Sequence, residues 1–215
     1  MRRRRRGSFL PMMLALGATA VLSLGACGGD RDTTGGVTPE QLAGMILQPE
    51  DLPEGLSYEP RPASPPEEPW GSPKGWVAGY ELGAYLPHSL ANEGDLVCVT
   101  GGVHLYETVA AAKAAWKRGH EQLEKIFQAA PYQESEWRDI PVPSLGDETA
   151  GYFVSARSNF CGWEDRQMEL VTVDIRKGRL WAGLVTYTLG HGASRDGAIE
   201  LARKQLARIE AVLGG

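Results

Sequence analysis

The sequence predicts an α+β domain: an antiparallel sheet of about five strands, two long helices packed on it, and a short N-terminal helix. Two stretches, Trp76 to Tyr106 and Ala150 to Tyr187, carry apolar residues at every second position, the period of a half-buried strand. Two others, from Val109 and from Ile199, carry them at steps of three and four, which is one face of a helix. The strand-like runs follow one another across short turn-forming loops, and each helical run comes after a group of strands. That order builds hairpins with helices laid on them, not alternating parallel crossovers.

The chain opens on Arg2 to Arg6, an apolar run from Phe9 to Leu24, and then Leu24-Gly25-Ala26-Cys27. A basic segment, a short apolar segment and small residues before a cut site form an export signal, too short for a comfortable bilayer span. Leucine, two small residues and cysteine in that order resemble the lipobox of bacterial lipoproteins, so residues 1–26 are expected to be removed and Cys27 to carry a diacylglyceryl group. An ordinary signal peptide with a chance cysteine is the other reading. Loss of the five arginines, and of no acidic residue, leaves 17 basic against 27 acidic side chains, a net charge of -10. Such a surface gains nothing from anionic headgroups and lacks the clustered Lys and Arg that nucleic acid requires, so the membrane is expected to be held through acyl chains and nucleic acid is not an expected partner.

Residues 27–37 are small and polar and are expected to form a flexible tether. A single domain over 38–215 follows. Thr38, Pro39 and Gln41 make the start signal of a short helix whose apolar stripe is Leu42, Met45 and Ile46. Between 60 and 73 the density of proline removes backbone donors, and the segment is expected to be a loop. Trp76, Ala78, Tyr80, Leu82, Ala84 and Leu86 then alternate as one strand. Leu96 to Tyr106 forms the next, with Val97, Val99, Val103 and Leu105 on one face and Cys98 on the other. Thr108 can cap a helix reaching about Ala130, striped by Val109, Ala112, Trp116, Gly119 and Leu123. Gly119 costs that helix about 1 kcal/mol, which implies a close approach of its backbone to the sheet. A third strand runs through Tyr152, and Val171 to Tyr187 forms a hairpin turning at Lys177-Gly178. The last helix starts near Ser194 with Ile199, Ala202, Leu206, Ile209 and Leu213 on its buried side.

Two cysteines besides Cys27 remain, Cys98 and Cys161. In an oxidising compartment such a pair reads as a disulfide, worth roughly 4 kcal/mol on the chain-entropy model. A reactive thiol or a metal site is the rival reading, and neither cysteine has further ligand types at metal spacing.

The segments Gln48-Pro49-Glu50-Asp51-Leu52-Pro53-Glu54-Gly55, Pro143-Ser144-Leu145-Gly146-Asp147-Glu148 and Ile175-Arg176-Lys177-Gly178 occur in the order and spacing of a group of bacterial lipoproteins. Through them the chain, from Val37 to Gly215, resembles the extracellular sensor-like domains of receptor serine/threonine kinases. The resemblance implies an α+β module working by binding or sensing in the cell envelope. This chain departs from those domains in having one candidate disulfide where they have more, and no kinase segment accompanies it.

Catalytic signatures are absent: no Gly-x-Ser-x-Gly elbow, no His-Glu-x-x-His, no phosphate-cradling glycine loop. His120 reads as a solvated helix residue. Asp147 and Glu148, adjacent on a strand, are expected on opposite faces. His104 and Tyr106 share a strand face with Cys98, which allows a polar cleft, and His191-Gly192 with Ser194 reads as a loop and helix cap. No catalytic residue, metal or cofactor is expected. The expected role is a lipid-anchored binding or sensor-like module without catalysis, meeting an envelope protein or small molecule through Trp70, Asn159, Phe160 and Trp163 on loops. A carrier of apolar ligands or lipids, with a cavity among Trp76, Tyr80, Trp116 and Trp181, is the alternative, and an envelope hydrolase a weaker one.

Overall fold

The computed structural model describes residues 32, 34–65, 74–128, 136–158 and 160–214. The expected signal 1–26, Cys27, Trp70 and Asn159 lie outside them. Seven strands form one sheet in the order β1-β2-β3-β7-β6-β5-β4. They are β1 (Ser57–Pro62), β2 (Trp76–Tyr85), β3 (Leu96–Tyr106), β4 (Glu136–Asp139), β5 (Glu148–Ser158), β6 (Arg166–Lys177) and β7 (Leu180–Leu189), and every neighbouring pair is antiparallel. Two meanders are thus joined through β3 and β7. Helix α1 (Val109–Gln128) follows the first and α2 (Arg195–Gly214) the second.

Strand alternation sends the two helices to opposite faces. Leu180, Ala182 and Leu184 of β7 share one face with Val99, Val103 and Leu105 of β3 and Val171, Val173 and Ile175 of β6. There they meet Ala198, Ile199, Ala202 and Ile209 of α2, and Leu42, Met45, Ile46 and Leu47 of the N-terminal segment, in the main core. On the other face Tyr106 and Trp181 meet Ala111, Ala112 and Ala115 of α1. Gly119 is needed there, because a Cβ at that position would stand 2.8 Å from the Trp181 indole.

The two extra strands are edges, and both were hidden by proline. β1 runs through Pro60 and Pro62, inside the stretch expected to be a loop, which an edge strand tolerates because its outer side bonds to no neighbour. β4 sits between Pro131 and Pro141, and its four residues are too few to show a period. The N-terminal helix is a 3-10 helix, Pro39–Gly44, whose start is fixed by the Thr38 N–H donating to Gln41 Oε1 at 2.8 Å. Register shifts correct two face assignments: between Leu96 and Cys98 one puts Val97 with the disulfide cluster, and between Trp76 and Ala78 another puts Trp76 beneath α1.

Within the segment expected to be a free tether, Asp32 and Thr34 are docked. Arg179 donates from its backbone N to Thr34 Oγ1 (2.9 Å) and from Nη2 to Thr34 O (2.7 Å), and its Nε pairs with Asp32 Oδ2 at 3.2 Å. Thr34 is fully buried against Gly178 in the β6–β7 turn. Composition alone could not reveal this, since a single buried threonine makes no pattern.

Candidate functional site

The register places Glu81 of β2, Gly102 of β3, Gly183 of β7 and Asp174 of β6 in one row across the sheet, on the face that carries α1. Four strands at the usual spacing put the outer two Cα atoms about 14 Å apart. Between them Gly102 and Gly183 have no side chain, so the sheet there is bare backbone. The neighbouring row on one side is His104 and Trp181, and on the other Thr100 and Val185. A trough of about 360 Å³ results, lined by Gly102, Gly183, His104, Trp181, Thr100 and Val185 together with Arg61 and Glu81 at one end, and Asp174 is not among its lining residues. Its floor is stiff: Gln205 of α2, buried in the opposite core, donates from Nε2 to Gly102 O at 3.2 Å.

The walls are held by their own contacts. Trp76 Nε1 donates to His104 Nδ1 at 3.4 Å, which aims Nε2 over Gly102. Trp181 is fixed from above by Gly119, and Thr100 Oγ1 lies 3.5 Å from the Tyr187 hydroxyl. At one end Glu81 pairs with Arg61 at 3.5 Å. Beyond Gly183, outside the lining of the trough, Asp174 is 5% exposed, with Oδ1 standing 2.9 Å from where a Cβ on Gly183 would be. Burial pushes its carboxyl up to about 7, and the Trp181 indole N–H facing it moderates the rise without forming a good hydrogen bond. Burial likewise pulls His104 down to about 4, so the imidazole is neutral.

The residues expected to form the binding surface are not placed as one. Trp163 is 9% exposed, packed under the His88 ring (centroids 4.0 Å apart) in the cluster that includes Val97, Cys98 and Leu189, so it is a core residue and no exposed anchor. Trp70 and Asn159 lie outside the described residues, and of Phe160 only the backbone is described, in a 3-10 turn. Cys98 and Cys161 are disulfide-bonded, as expected, with Cα atoms 6.3 Å apart. The aromatic cavity expected of a carrier is not assembled: Tyr80 packs with the α2 core and Trp76 and Trp181 with α1, on opposite faces.

Other expected side chains take structural posts. His120 is not solvated; it faces the sheet, stacks on Trp116 (5.2 Å) and meets the Tyr152 hydroxyl. Asp147 and Glu148 do not diverge, because Asp147 precedes the strand: both reach Arg176, Asp147 Oδ2 at 3.3 Å from Nη1 and Glu148 Oε2 on Nε. Ser194 Oγ caps α2 by accepting from Gly197 N at 3.0 Å, and His191 bonds Glu169 at 2.8 Å. The row of glycines was visible in the sequence only as scattered residues; nothing but the register of four strands brings them together.

One antiparallel sheet with a long helix on each face defines an α+β domain. Among solved structures the fold is similar to that in the crystal structure of the extracellular domain of PknH from Mycobacterium tuberculosis, with a TM-score of 0.58 at 13% identity, covering 85% of this chain and 100% of that one. The resemblance drawn from the turn motifs thus holds at the level of fold. No family model matches the chain, and no curated protein does.

Proposed function

We propose that this chain is an extracytoplasmic, sensor-like binding module, held to a membrane by acyl chains on Cys27, which takes a small ligand in the trough lined by Glu81, His104 and Trp181 and performs no chemistry on it. The observation that carries the reading is the paired glycines Gly102 and Gly183, which strip side chains from the centre of a sheet where core strands would fill that space. The lipobox-like Leu24-Gly25-Ala26-Cys27 and the likeness in fold to an extracellular domain support the location.

The test is to fill the trough from its wall. Val185→Phe occupies the space over Gly183 while leaving the backbone and Asp174 in place. Protein purified without denaturation from envelopes should carry a small-molecule adduct by native mass spectrometry. The variant should lose it with its melting temperature unchanged. An adduct kept by Val185→Phe would put the ligand elsewhere. A spread of acyl-chain masses would favour the lipid carrier, and turnover abolished by a His104 or Asp174 substitution would favour an enzyme.

A further inference from the structure

The main core is left unfilled at one end. On the face that carries α2, β7 presents Leu180, Ala182 and Leu184 and then, toward its C-terminal end, Thr186 and Thr188. Above them the first turns of α2 contribute only Gly197 at the rim and Ala198 inside before Leu201 is reached. A Cβ on Gly197 would find Ser194 within 4 Å and no atom of the sheet. The space left between helix and sheet is a cavity of about 360 Å³, walled further by Leu52 and Pro53 before β1 and by Leu96 of β3. It shares no side chain with the trough, which lies on the opposite face. Its floor holds one polar group in need of a partner. Thr186 Oγ1 is used, donating to Val171 O at 3.3 Å, whereas Thr188, 4% exposed and lining the cavity, has no side-chain hydrogen bond among the described residues. A hydroxyl withdrawn from water and left unpaired is costly, so an occupant that bonds it is favoured. The charges around the cavity are already matched. Asp51 is paired with Arg208, Glu200 with Arg203 at 3.5 Å, and Lys204 donates to Asp51 O at 2.9 Å. Glu169, beside Thr188 on β6, accepts from Gly192 N and Ala193 N and bonds His191. An ion entering there would lose its hydration and find no opposite charge free to replace it.

We infer that this cavity is a ligand site distinct from the trough, taking a small neutral molecule whose compact hydrocarbon body packs against Pro53, Leu96 and Leu201 and whose single hydrogen-bonding head, an amide or hydroxyl, meets Thr188 Oγ1. Apolar walls with one placed polar group are the usual make-up of a small-molecule pocket. Size agrees with this: a dry cavity of about 150 Å³ holds a benzene, so the volume here admits a six-membered ring together with its head group.

The probes are cyclohexanecarboxamide, cyclohexanecarboxylate and cyclohexylmethylammonium, which share a ring and differ in the charge of the head. Each is titrated into the disulfide-bonded protein while the methyl resonances of Thr188, Ala198 and Leu201 are followed by NMR. The amide should shift all three and bind about tenfold or more tightly than either ion. Thr188→Val keeps the shape and removes the hydroxyl; it should weaken the amide about tenfold while the unliganded protein melts no lower than the parent, since the unpaired group is gone. Ala198→Leu grows into the cavity and should abolish binding, and if that variant does not fold, the parent and Thr188→Val titrations decide. No shift at these methyls with any probe, tighter binding of either ion, an undiminished amide affinity in Thr188→Val, or a lowered melting temperature in that variant without ligand would each overturn the inference. Val185→Phe, which fills the trough on the other face, should leave the amide affinity unchanged, so the two sites stand or fall separately.

Discussion

Asp174 and His104 lie on the same face of the sheet with protonation equilibria displaced in opposite directions, and their effects on stability oppose each other. Asp174 titrates near 7 in the fold against about 3.9 in an unfolded chain, so between those values the folded state holds a proton that the unfolded state has lost. Its contribution is fully present below pH 4 and is lost as pH rises to 7, by about 1.4 kcal/mol for each unit of displacement. His104 titrates near 4 against about 6.5 unfolded, so its contribution is present above 6.5 and is lost as pH falls to 4. From pH 4 to 6.5 the two slopes cancel. The parent domain should therefore show little change of melting temperature from this pair across that window, measured against background substitutions that leave both in place. Asp174→Asn should expose the His104 slope, with stability rising from pH 4 to 6.5, and His104→Gln should expose the opposite slope. Parallel pH profiles in the two variants would show that the groups do not titrate as their burial dictates.

The short turn motifs that carried the sequence resemblance prove to be clasps between elements. Arg176, 1% exposed on β6, is gripped by Asp147 and Glu148 at the start of β5 and by Gly178 O in the β6–β7 turn, while Asp147 Oδ2 also accepts from Gly178 N at 2.7 Å. Gly146 is obligatory, with φ at +71° and a would-be Cβ 2.6 Å from Arg176 O. Likewise Asp51 and Glu50 pair with Arg208, and Lys204 donates to Asp51 O at 2.9 Å, which pins the segment before β1 onto α2. Glu148→Ala leaves a buried guanidinium half-paired and should cost about 3–5 kcal/mol. Arg176→Met fills the same space without charge and frees carboxylates that are 25–30% exposed and can hydrate, so it should cost less. Urea unfolding of both variants checks the order, and a costlier Arg176→Met would refute it. Such clasps were legible as a spacing of turn-forming residues, but their chemistry was not, because the carboxylate partners of Arg176 lie nearly thirty positions away in the chain. The five strands that alternate cleanly, both long helices and the Gly119 contact were readable from periodicity. The edges β1 and β4, the buried Trp163 and the glycine floor were not, since proline masks an edge strand, a lone tryptophan carries no period, and a trough exists only once register is fixed.

Across the whole molecule the docked N-terminal segment fixes which end of the sheet meets a membrane, given the acyl anchor proposed at Cys27. Asp32 and Thr34 are held by Arg179 at the β6–β7 turn, and Cys27 stands five positions before Asp32, a reach of no more than about 18 Å even fully extended. That end also carries Lys177 with Glu210 of α2. The other end holds the disulfide, the His88–Leu90 turn and the start of β6, twelve strand residues or about 40 Å away. The trough lies between, with Arg61 of β1 and Glu81 of β2 at one side. With lipid-anchored protein in vesicles, a fluorophore at Glu210 should transfer energy to a dye in the membrane much more efficiently than one at Leu90, which is 62% exposed at the far end. Arg179→Ala combined with Thr34→Val should undock the segment, roughly double the link and narrow the difference between the two labels. Cys27→Ser should abolish attachment altogether, which separates loss of the anchor from loss of orientation. Equal transfer from both labels in the parent protein, with attachment intact, would mean that the clasp does not orient the domain.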